Sequence, residues 1–116
     1  MSDLPEALRA RMEELDARPA LETVRAFLSA TVADAESLDE IRADQRQLAQ
    51  VSTRAIRRDL VALEAVLADP PTSPGALARL VGWDGNWVLD DSSDAGAAQF
   101  LRELARLLRE VLDDVR

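Results

Sequence analysis

Histidine, cysteine, lysine and tyrosine are all missing from the 116 residues of this chain. Without histidine there is no ordinary side chain that titrates near neutrality and no imidazole ligand, so Ser-His-Asp, Cys-His and HExxH chemistry cannot be assembled. Without cysteine, disulfide staples, thiolate nucleophiles and thiolate zinc sites are excluded, a usage at home in a reducing compartment. Glycine-rich phosphate loops are also lacking, because neither GxGxxG nor GxxxxGK[ST] occurs. No uncharged run approaches the roughly 18 residues that a membrane span needs. The opening Met1-Ser2-Asp3-Leu4-Pro5-Glu6 carries neither the basic nor the apolar region of a signal peptide. These absences lead to the expectation of a cytoplasmic, non-catalytic protein with no cofactor, no bound metal and no membrane partner.

What is present is acid. Aspartate and glutamate number 22 against 14 basic residues, all of them arginine, for a net charge of −8. Such a field repels phosphate backbones and attracts basic surfaces, so a basic protein is the expected partner and nucleic acid is not. The length fits one domain, residues 1–116, able to bury ~65% of the surface its unfolded chain exposes. Lysine-free, Ala/Arg-rich usage fits a GC-rich genome as well as the suitability of arginine forks for ion pairing.

Read in order, the chain is helical. Ser2 or Asp3 as cap, Pro5 and Glu6 announce a first helix with Leu4, Leu8, Met12 and Leu15 on one face, stopping near Arg18. Pro19 opens a second, whose Leu21, Val24, Leu28 and Val32 repeat at helical spacing with Phe27 beside them. Ser37-Leu38-Asp39-Glu40 matches a capping box and starts a third at Leu38. On that helix Gln45 stands where an apolar residue is expected and reads as a solvated edge. A break near Val51 to Thr53 is favoured over a continuous helix, because Ser52 and Thr53 compete for local backbone bonds. Arg54, Arg57 and Arg58 read as a solvated face paired with Asp59 and Glu64. Asp69-Pro70-Pro71 ends this helix, and Ser73-Pro74 opens a short one, Gly75 to Val81, burying Leu77, Leu80 and Val81. Gly82 is placed to end it in a left-handed conformation. Asp94 is placed to cap the last helix, Ala95 to about Asp114, with Leu101, Ala105, Leu108, Leu112 and Val115 as its apolar face and Leu104 and Val111 flanking. The expected fold is all-α, a single bundle-like domain of five to six helices with a Trp/Asp-rich loop before the last.

That loop, Gly82-Trp83-Asp84-Gly85-Asn86-Trp87-Val88-Leu89-Asp90-Asp91-Ser92-Ser93-Asp94, holds both tryptophans, and no arginine lies between Arg79 and Arg102. Asp84-Gly85-Asn86 reads as a tight turn. The indoles are either both core plugs, or one stays partly exposed beside acids, the kind of anchor that binding hot spots use. Asp90, Ser92 and Asp94 alternate like the first ligands of an EF-hand, but Ala95 and Leu101 stand where glycine and a bidentate glutamate belong, so calcium is not expected. Trp83, Asp84, Trp87, Asp90, Asp91 and Asp94 are therefore the candidate partner-binding residues.

The helix Ala55 to Asp69 ending at Pro70-Pro71, the short Leu77 to Val81, the acidic-aromatic Gly82 to Asp94 and the closing helix from Gln99-Phe100-Leu101 together resemble small immunity proteins of contact-dependent inhibition and related polymorphic toxin systems. The resemblance spans roughly residues 54 to 113, and the early segment rich in His, Trp and Asp of one such family is missing from Met1 to Leu28. It implies a cytosolic protein that binds and neutralises a cognate toxin domain, and it transfers no binding residues. The alternative is a helical structural or regulatory module that forms a homodimer through the stripe on its last helix.

Overall fold

Apolar residues at helical spacing become five helices in the computed structural model, which describes residues 19–115. The expected first helix, with Leu4, Leu8, Met12 and Leu15, lies outside the described residues. Helix α1 (Pro19–Phe27) runs into a π turn, Leu28–Val32; α2 is Leu38–Val51 and α3 is Arg54–Ala68. The short α4 (Ala76–Arg79) runs into a second π turn, Leu80–Asp84, and α5 (Asp94–Asp114) closes the chain. No strand occurs among the described residues.

Helix α5 is the spine. Ala97, Phe100, Leu101, Leu104, Ala105, Leu107, Leu108 and Val111 are buried along it, and α2, α3 and α4 all pack against it. Its buried face is centred on Leu101, Leu104, Leu108 and Val111, rotated from the expected stripe, which leaves Val115 exposed. The reason is two-sided packing. Residues facing α3 and α4 at once must cover a wider arc than a single stripe, and Leu104 and Val111 lie in its middle. Helix α3 sits between α5 and α1, with Ile56, Leu60, Leu63 and Val66 facing inward. Val24, Phe27, Leu28 and Val32 complete the core from the α1 side.

Helix α2 is attached differently. Of its residues only Ile41, Gln45 and Ala49 are buried, and its main neighbour is α5. Arg42 pairs with Glu110, and Arg46 with Asp114 at 2.9 Å, so successive turns of one helix are matched to successive turns of the other. Exposed pairs of this type each contribute about 0.2–1 kcal/mol, less than burial of an apolar side chain.

The connections follow local chemistry. Ser37 caps α2 by accepting from the Glu40 amide at 3.1 Å. The Glu40 carboxylate reaches back one residue further than a capping box requires and accepts from the Glu36 amide at 3.1 Å. The break between α2 and α3 is sharp, with Ser52 fully extended (φ −162°, ψ 139°) and its hydroxyl accepting from the Arg54 amide at 3.2 Å. Of the two carboxylates expected to pair with the arginine cluster, Asp59 meets Arg58 at 3.5 Å, whereas Glu64 meets Arg109 of α5 at 3.8 Å.

Two expectations about the short helix are corrected. Ser73 does not cap it with its side chain: residue Gly75 holds the cap position in a left-handed conformation (φ 79°), without a side-chain bond from the local sequence. Gly82 does not terminate it either, because Gly82 lies inside the second π turn and its φ is not left-handed. In a π turn each carbonyl accepts from the fifth residue on. The bonds that close the two turns here run from the Ala33 amide to the Leu28 carbonyl (2.8 Å) and from the Gly85 amide to the Leu80 carbonyl (3.2 Å).

Candidate functional site

The two π turns contact each other, and this contact positions the start of the Trp/Asp segment. Arg25 Nε donates to Asp84 Oδ2 at 3.4 Å, and the Asn86 side-chain amide donates to the Ala33 carbonyl at 3.3 Å. Asp84, without a basic neighbour in sequence, therefore acquires one from 59 residues upstream. The left-handed residue of the Asp84-Gly85-Asn86 turn is Asn86 (φ 46°), whereas Gly85 adopts an ordinary right-handed conformation. Asparagine tolerates that region because its short amide can bond nearby backbone.

The two indoles part company after this turn. Trp83 is 80% exposed, projecting from the π turn. Trp87 is partly buried and stacks on Phe100 of α5, with centroids 5.1 Å apart and planes inclined by 26°. Leu89 packs on the core beside it, and between them Val88 is 95% exposed. Trp87, Val88, Leu89, Asp90 and Asp91 line one side of a depression of about 470 Å³ and face Gly96, Phe100 and Arg102 of α5 across it.

The acids divide in the same way. Asp90 is exposed, and among the described residues neither it nor Asp91 has an ion-pair partner. Asp91 Oδ1 accepts from the Ser93 amide at 3.0 Å and from the Ser93 hydroxyl at 2.6 Å. The hydroxyl bond, with the amide bond second, holds the Asp91 carboxyl below its ordinary range. The Ser93 hydroxyl in turn accepts from the Gly96 amide at 3.2 Å, so Ser93 caps α5. Gly96 is required there, since a Cβ on it would lie 2.0 Å from the Asp91 carbonyl oxygen.

Asp94 does not cap its own helix. As the first residue of α5, it sends its carboxylate across to α4, where Oδ2 accepts from the Gly75 amide at 2.8 Å and Oδ1 from the Ala78 amide at 3.0 Å. Free amides at a helix start carry partial positive charge and lack partners within the helix, so a carboxylate satisfies both needs. The Ala78 amide first, and the Gly75 amide second, lower the Asp94 pKa. Asp94 is thus committed to the fold and Asp91 is bonded within its own turn, whereas Trp83, Val88 and Asp90 are exposed and Asp84, half-buried, pairs with Arg25.

Sequence reading missed a second polar location. Gln45, expected at a solvated edge, is 5% exposed, and its Oε1 has no hydrogen-bond partner among the described residues. Asp59, on α3, is buried too, and burial raises its pKa against the opposing pull of Arg58. The signal was a polar residue in an apolar register, which periodicity alone reads as either a rim or a buried amide. No described helix is long and apolar enough to cross a membrane, and no cluster of three or more acidic residues placed to hold a metal ion occurs among the described residues. No family model, no curated protein and no solved structure matches the chain.

Proposed function

We propose that this chain is an immunity-type binding protein of the bacterial cytoplasm that neutralises a cognate toxin domain, a basic and nuclease-like one, by presenting an acidic, tryptophan-bearing face. The observation that carries the reading is Trp83. A helical domain of net charge −8 leaves its one fully available indole 80% exposed, on a segment that also offers Asp84 and Asp90. Indoles ringed by polar groups are the residues on which interfaces concentrate their affinity. Surrounding carboxylates steer a cationic partner and raise the association rate more than the final affinity. The alternative, self-association through the last helix, has less to support it, because Leu101, Ala105 and Leu108 of that stripe are buried in the chain's own core and of its residues only Val115 is exposed.

The test is co-expression with the product of the adjacent gene, followed by binding measurements at low and high salt. A complex is expected whose association slows as salt rises and whose affinity falls at least tenfold in Trp83→Ala. Absence of a complex with the neighbouring product, or binding indifferent to both Trp83→Ala and Asp90→Ala, overturns the reading.

A further inference from the structure

Because α2 leans on α5 rather than on its sequence neighbours, a groove of about 480 Å³ remains between α2, α3 and the α1 side of the bundle. That is the size range of small-molecule sites. Its walls are largely carbon, from Ala26, Phe27, Ala30, Leu48 and Ala55, and Gln45 and Asp59 also line it. Gln45 is 5% exposed with its Oε1 unpartnered, and Asp59 is 8% exposed. Two buried acceptors therefore border one cavity. Arg58, which also lines the groove beside Thr23 and Thr31, donates to Asp59 at 3.5 Å from a side chain that is 68% exposed. An ion pair at that distance and exposure is weak and readily exchanged.

A buried acceptor left without a donor bears the full cost of its lost hydration, and a second acceptor beside it cannot relieve it. A ligand that suits the groove must bring hydrogen-bond donors and positive charge at one end and a short apolar body at the other. We infer that the groove is a binding site for a small organic cation, an alkylguanidinium or alkylammonium, whose N–H groups donate to Gln45 Oε1 and the Asp59 carboxylate while its carbon chain lies against Phe27 and Leu48. The cation replaces Arg58 at Asp59, and Arg58 returns to solvent at little cost. This site is separate from the Trp83 segment and does not depend on the toxin-binding reading. On α1 the groove is lined by Glu22, Thr23, Ala26 and Phe27, whereas Arg25, which holds Asp84, is not among its walls.

The test uses n-butylguanidinium chloride as the probe and n-butylurea as a neutral analogue of the same shape, titrated into the full chain with amide NMR and calorimetry as readouts. Expected is saturable binding of butylguanidinium with a Kd of about 1 mM or tighter, with shifts centred on the Gln45 side-chain amide, Ala26, Ala30 and Ala55. Butylurea should bind at least tenfold more weakly. Asp59→Asn, which keeps the shape and removes the charge, should weaken the cation at least tenfold, and Gln45→Leu should weaken it several-fold. Should Gln45→Leu melt early, Asp59→Asn still decides the matter. Lack of saturation by butylguanidinium, equal binding of butylurea, or unchanged binding to Asp59→Asn overturns the inference and leaves water as the groove's occupant.

Discussion

The two ends of the Trp/Asp segment have similar composition and opposite employment. At its start, Trp83 stands in solvent and Asp84 has a single partner, Arg25, across the π turns. At its end, Trp87 lies on Phe100, Asp91 is bonded twice to Ser93, and Asp94 caps a helix 16 to 19 residues away in sequence. Aromatic-acidic composition does not by itself mark a site. The groups free to meet a partner are those whose bonding capacity the fold has not already used.

Exchanging the roles of the two indoles tests this contrast most severely. Trp87→Ala removes a stacked, partly buried ring, and should cost about 3 kcal/mol in urea unfolding, the low end for a buried tryptophan. Gly96→Ala strikes the other structural contact, forcing a Cβ against the Asp91 carbonyl. It should cost about 2 kcal/mol, as overpacking does, and chemical shifts of Asp91 and Ser93 should move with it. Trp83→Ala should leave stability within about 0.5 kcal/mol of the parent while costing partner affinity about 2 kcal/mol. A Trp83→Ala variant as unstable as Trp87→Ala would abolish the contrast.

Acidity separates the carboxylates further. Asp91 and Asp94 have folded pKa values below the ordinary 3.8, so their stabilising contribution is present above 3.8 and is lost as pH falls through the lowered folded values. Asp59 has the opposite sign. With its folded pKa raised above 3.8, its contribution is fully present below 3.8 and is lost as pH rises through the raised value. Urea midpoints measured from pH 7 to pH 2.5 should therefore show Asp94→Asn converging on the parent at the acid end. Asp59→Asn should be at least as stable as the parent at pH 7, with any advantage fading toward acid. A midpoint difference for Asp94→Asn that is independent of pH would remove the charged cap. The smallest effect belongs to Gly82→Ala, where nothing lies within 4 Å of the new Cβ. It should stabilise by about 0.5 kcal/mol through the unfolded chain, sharpening the view that Gly82 is no left-handed helix stop.

Much of the helical text was legible because its signals are local. Val24, Leu28 and Val32 announce their buried face by spacing, Ser37 and Glu40 announce a helix start, and Ser52-Thr53 announce a break. What escaped is either non-local or one residue wide. Arg25 reaches Asp84 from another helix, and Asp94 serves α4 through bonds that no window around Asp94 contains. A π turn shifts the register by a single residue, which apolar spacing over five positions does not resolve. Gln45 was misread because its burial depends on how α2 leans toward α5, a tertiary outcome.

The clasp made by Asp94 reaches beyond stability. By tying the first turn of α5 to the first turn of α4, it joins both ends of the intervening stretch at a common base, so the exposed Trp83 and Val88 form the tip of a loop closed at its stem. Lengthening such a tip adds little closure entropy, and loops on a rigid base are where surfaces diversify fastest. Exposed positions such as Trp83 and Val88 can therefore change without renegotiating the core, whereas Trp87, stacked on Phe100, cannot.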